Sequence, residues 1–127
     1  MELVDFLDNL DIKKAIASSS SRDFASLKLS VSNLIGIFEI IVSGDDVKSG
    51  KPSPDIFLET ANRLDCQPCE CIILEDSEPG IIAAQTAGML PIFIPDLYEP
   101  TQVIRTICPY IFRSLLEVKY FLNQRLS

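Results

Sequence analysis

The stretch Cys71-Ile72-Ile73-Leu74-Glu75-Asp76-Ser77-Glu78-Pro79-Gly80 constrains this chain more than any other. Four apolar residues run straight into two adjacent carboxylates, a turn opens at Ser77, and Pro79 stands where a helix would begin. A short continuous apolar run bounded by turn signals reads as a fully buried strand of a parallel sheet. The carboxyl ends of such strands are where open α/β sheets place their ligands. Neighbouring side chains of a strand face opposite sides, so Glu75 and Asp76 converge only if the backbone curls at the tip. Ser77-Glu78-Pro79 also has the chemistry of a plain helix start, with acids near the positive end of the dipole. That accounts for Glu78 and leaves the two acids at the strand mouth unexplained.

The rest of the chain alternates in the same style. Leu3, Phe6, Leu7 and Leu10 share one face of a helix expected over residues 2–13, and residues 14–17 form a short strand. A second helix is expected over 22–33, capped by Ser20 or Ser21, and a β-branched strand over 38–42. The loop 43–54 carries two glycines and two prolines. It launches a helix over 55–64 with Ser53 as N-cap and Pro54 as its first residue. Beyond the strand at 71–74 come a helix over 79–87 stopped by Gly88, a strand over 90–94 and a short helix over 101–107. A short strand over 110–112 and a terminal helix over 115–126 complete the pattern. Strands alternating with helices imply βαβ units, a parallel sheet with helices on both faces, and a single domain over 1–127.

Composition removes several chemistries. The 127 residues contain no histidine, which excludes Ser-His, Cys-His and His-metal mechanisms. A net charge of −7 argues against nucleic acid or an anionic membrane as partner. No segment approaches the ~20 apolar residues that span a bilayer. The N-terminal stretch is acidic and amphipathic, unlike a signal peptide, so a cytoplasmic location is expected. Cys66, Cys69 and Cys71 have a spacing that suggests a metal or redox site, with Cys108 as a fourth candidate. Cys71 opens the buried strand, however, where a thiol behaves as a small hydrophobe, and reduced structural thiols are the reading adopted.

Three loops after strand ends carry pointed chemistry. Ser18-Ser19-Ser20-Ser21-Arg22 offers hydroxyls and amides leading into a helix N-terminus, a place that binds oxyanions and to which Arg22 adds a bidentate fork. A solvated serine-rich cap explains the same run equally well. In Gly50-Lys51-Pro52-Ser53-Pro54-Asp55, Lys51 stands just before a helix start. A cation there is disfavoured by some tenths of a kcal/mol unless an anion lies between, so about 0.3–1 kcal/mol is at stake. Glu75 and Asp76 are hard oxygen ligands suited to Mg²⁺. Together the loops describe a Mg²⁺-assisted phosphate site.

In this order the residues resemble the haloacid dehalogenase superfamily of phosphatases and phosphomutases, above all its β-phosphoglucomutase-like branch. Ala15-Ile16-Ala17-Ser18-Ser19-Ser20 is similar to the family's motif II, Gly50 to Asp55 to motif III and Leu74 to Gly80 to motif IV. The resemblance implies a three-layer, doubly wound, Rossmann-like core. It implies that Ser18 and the Ser19 amide hold the transferred phosphoryl group and that Lys51 neutralises its charge. Asp76 would bind Mg²⁺ directly and Glu75 through water, while Ser20, Ser21 and Arg22 would lie near the non-reacting end of the substrate, a phosphorylated small molecule such as a sugar phosphate.

The departure from the family is as informative. Motif I, an Asp-x-Asp that supplies nucleophile and general acid/base, has no counterpart, for no two aspartates here are separated by one residue. The helical cap between motifs I and II is absent too, so the chain resembles the C-terminal part of such an enzyme. Family sheets place the motif I strand between those of motifs II and IV. Its loss would bare two strand edges, which leads us to expect a homodimer, a domain swap, a partner fragment or closure of the gap. Mg²⁺ would bind weakly and the chain alone would not turn over. A non-catalytic phosphate-binding or assembly module derived from the family is the alternative.

Overall fold

The structure, a computed structural model, describes residues 2–18, 38, 40–95 and 99–126. The helices are α1 (Glu2–Asn9), α2 (Asp55–Leu64), α3 (Glu78–Thr86), α4 (Gln102–Ile107) and α5 (Leu115–Leu126). The strands are β1 (Ala15–Ala17), β2 (Ile40–Val42), β3 (Ile72–Glu75), β4 (Leu90–Phe93) and β5 (Tyr110–Ile111). The helix expected over 22–33 lies outside the described residues, as do Ser19, Ser20, Ser21 and Arg22.

Three helices end alike, each with the residue past its last turn in the left-handed region. Asp11 (φ 57°), Asp65 (φ 56°) and Gly88 (φ 80°) take that place. In each case the next amide reaches back over the end: Ile12 N–H to Leu7 O at 3.0 Å, Cys66 N–H to Ala61 O at 3.0 Å and Met89 N–H to Ala84 O at 3.0 Å. These bonds satisfy carbonyls that a helix end leaves without partners. The early left-handed turn at Asp11 is why α1 stops at Asn9 and not near residue 13.

All described strand pairs are parallel, but the described strands form two sheets, β1–β2 and β3–β4–β5. Among the described strands β3 stands at an edge, as expected where the motif I strand is missing, and it is not the fully buried strand that its apolar run suggests. Ile72 is 41% and Leu74 39% exposed. The carbonyls of Cys71 and Glu75 accept from Leu90 N–H (3.1 Å) and Ile94 N–H (2.9 Å). Because peptide groups alternate sides along a strand, those of Ile72 and Leu74 turn to the open edge. Leu74 lies level with Ile92, which is fully buried in the next strand. On that face the cover from Leu3, Val118 and Leu122 reaches Ile92 in β4.

The opposite face is one helical layer under both sheets. Ile56, Phe57 and Ala61 of α2, Ala83 and Ala84 of α3 and Ala87 at its C-cap pack with Val42 of β2, and Ile73 of β3 lies against the same cluster. This layer brings the loops after β2 and β3 to one end of the molecule. No described helix is long and apolar enough to cross a membrane.

Candidate functional site

The β2–α2 loop leaves the sheet at Ser43, a polar residue with no exposed surface. Its amide and hydroxyl both donate to Asp46 Oδ2, at 2.9 and 3.2 Å. Arg63 of α2 stands 3.7 Å from the same oxygen and 2.9 Å from Glu59. Asp46 therefore braces the loop that leads to Lys51. Ser43 and Asp46 have the spacing and the hydrogen bonds of a capping box, a helix-start signal that the Ser-x-x-Asp sequence carries.

Ser53 N–H donates to Gly50 O at 3.0 Å, turning the chain at Lys51. Helix α2 then begins at Asp55, one residue later than the expected caps imply. Pro54 itself is the N-cap, in a right-handed helical conformation, and its carbonyl accepts from Phe57 and Leu58 N–H (3.1 and 3.0 Å). Ser53 Oγ receives only a long 3.4 Å bond from Asp55 N–H.

Lys51 and Glu75, 24 residues apart, meet here. Lys51 Nζ lies 2.6 Å from Glu75 Oε2, with the two side chains only 11% and 10% exposed. The ammonium also lies 5.1 Å from the centre of the Phe57 ring, a cation–π arrangement. The anion that a cation at a helix start calls for is thus supplied from β3. Glu75 Oε1 accepts from Ser77 Oγ at 3.0 Å and from Asp76 N–H at 3.3 Å. Ser77 Oγ in turn accepts from Gly80 N–H at 3.2 Å, capping α3. Ser77 caps α3 as the helix-start reading expects, while Glu75 at the strand mouth turns to Lys51.

Asp76 stands exposed at the strand tip beside this pair. Ser18, at the end of β1, donates its amide to Val42 O at 2.8 Å, which ties the first loop to the second. Glu78 Oε1 accepts from Thr101 Oγ1 at 2.6 Å and anchors α4 behind the site. Among the described residues no three His, Cys, Asp or Glu side chains form a group able to hold a metal ion. Both oxygens of Glu75 are engaged by neighbours, so the donor set open to a cation is the Asp76 carboxylate. One carboxylate plus waters and a substrate phosphate fits Mg²⁺.

All four cysteines are free thiols, with Cys69 exposed and Cys108 buried. Cys71 lies against the α2–α3 cluster. Partial burial pushes its thiol above the ordinary value of 9.0, and the nearby Cys66, Glu70 and Cys69 add to the rise.

The family profile described as haloacid dehalogenase-like hydrolase matches residues 1–94. The bifunctional riboflavin kinase/FMN phosphatase of Arabidopsis thaliana is 42% identical over 108 residues, covering 83% of this chain and 28% of that protein. The β-phosphoglucomutase of Bacillus subtilis is 42% identical over 86 residues, covering 68% of this chain and 37% of that protein. The crystal structure of an HAD phosphatase from Thermococcus onnurineus superposes with a TM-score of 0.86 at 28% identity, covering 96% of this chain and 55% of that one. The chain thus spans about a third of the length of these two relatives, and just over half of the solved chain.

Proposed function

The chain belongs to the haloacid dehalogenase-like hydrolases, and from that membership we propose that it carries the phosphate and magnesium side of a phosphoryl-transfer site without the nucleophile. The observation that carries the proposal is the Lys51–Glu75 pair, a lysine from one βα loop held at 2.6 Å by a carboxylate from another, both largely out of water. A lysine fixed in that way is a preorganised positive charge for an anionic substrate. Lys51 neutralises the transferring phosphoryl group, and Ser18 with the Ser19 amide holds its oxygens. Ser20, Ser21 and Arg22 contact the far end of a phosphorylated small molecule, such as a sugar phosphate. Asp76 would hold Mg²⁺ directly and Glu75 through water, and the bound metal would supply positive charge at the phosphoryl oxygens.

No two aspartates of the chain are separated by one residue. The aspartate that the family uses as nucleophile therefore comes from elsewhere, and this chain alone binds without turning over. The open edge of β3, with Ile72 and Leu74 exposed, supports pairing with a second copy or with a segment outside these residues. The reaction belongs in the cytoplasm, where four free thiols stay reduced. A second reading, a phosphate-binding or assembly module with no catalytic partner, is favoured by the same missing motif.

Calorimetric titration with inorganic phosphate tests the site. Saturable binding that is lost in Lys51→Ala is expected, with Mg²⁺ weaker than about 1 mM because the ion keeps most of its waters. Phosphate binding unchanged in Lys51→Ala, or Mg²⁺ bound at micromolar concentration, would refute the assignment.

A further inference from the structure

Gly80 is buried on the first turn of α3. A β-carbon added there would overlap Cδ, Cγ and Oε1 of Glu75, its three nearest neighbours. We propose that Gly80 is a positioning residue for Lys51: the missing side chain is the space into which the Glu75 carboxylate folds back to hold the lysine. The proposal rests on reading Lys51 as the phosphate-site lysine. Glu75 leaves β3 at its last residue, and a regular strand would send its side chain straight out from the sheet. Instead the carboxylate lies over the helix start, with Oε1 on Ser77 Oγ (3.0 Å) and Oε2 on Lys51 Nζ (2.6 Å). Ser77 Oγ also takes the Gly80 N–H at 3.2 Å. The helix cap and the lysine clamp therefore share one hydroxyl, and both need room above Gly80.

Any residue with a side chain at position 80 forces Glu75 aside. The flexible end of Glu75 can move, but moving it takes the anion from a largely buried lysine, which is costly.

Gly80→Ala made in two backgrounds tests this, with urea unfolding as the readout. In the parent chain it should lower the folding equilibrium constant at least about tenfold. In the Glu75→Ala background the overlapping atoms are gone. There Gly80→Ala should be neutral or raise the constant up to about fivefold, through the helix preference for alanine. If the single variant does not fold, the comparison is made in a Lys51→Met/Glu75→Ala background, which holds neither the overlapping atoms nor a buried charge, and Gly80→Ala should leave the folding constant there unchanged. Equal losses with and without Glu75, or a loss in that double background, would overturn the proposal. The Lys51 ammonium protons provide a second readout by heteronuclear NMR. They should be visible in the parent and lost to solvent exchange in Gly80→Ala, and their persistence there would also overturn it. Neither readout needs phosphate, so a failure here is distinct from a failure of phosphate binding at Lys51.

Discussion

Lys51 is held by neighbours of two kinds, the Glu75 carboxylate and the face of Phe57. Breaking a largely buried pair leaves the surviving charge without its partner, so Lys51→Met and Glu75→Gln should each destabilise the fold by about 2–4 kcal/mol. The double variant should cost less than the sum, and equilibrium unfolding of all three checks it. At Cys71 the raised thiol value sets the sign of a pH effect. The unfolded chain loses that proton first, so the contribution to stability is complete below 9.0 and declines as the pH rises through the folded value. Unfolding midpoints from pH 8 to 11 should fall less steeply in Cys71→Ala than in the parent. At this scale the sequence showed which groups are chemically pointed but not how they pair. Lys51, Glu75, Asp76 and Ser18 stand out by residue type and place, whereas the turn of Glu75 onto Lys51 depends on packing between loops 24 residues apart.

Asp65 takes the left-handed position after α2 as Gly88 does after α3, and only glycine does so without a steric penalty. Asp65→Gly should leave stability unchanged or raise it by up to about 1 kcal/mol, whereas Gly88→Ala should lower it by about 1–2 kcal/mol. Thermal unfolding of the two variants decides this. The α2 and α5 ranges agree with the sequence pattern because apolar periodicity coincides with Ser53-Pro54 before α2 and Ser114 before α5. α1 was overestimated because Leu10 continues the apolar spacing past the point where Asp11 turns left-handed. The cap of α2 slipped by one residue because Pro54 takes the N-cap place itself.

For the molecule as a whole, the parallel α/β class is legible from the alternation of strands and helices, and the separation of the described strands into two sheets has the place expected of a missing motif I strand. The apolar run of β3 by itself does not show it, because a buried strand and an edge strand of the same apolar sequence differ only in what lies beside them. Ile72 and Leu74 carry that difference as exposed surface on β3. Sedimentation velocity over a hundredfold concentration range should show self-association, reduced by Leu74→Lys on the open edge. A concentration-independent monomer would count against pairing between copies. A phosphate site with its lysine and magnesium residues but no nucleophile should give no Mg²⁺-dependent hydrolysis of an aryl phosphate by the pure chain above the buffer rate. Turnover that Asp76→Asn abolishes would show that the chain carries a nucleophile of its own and that the proposed function is wrong.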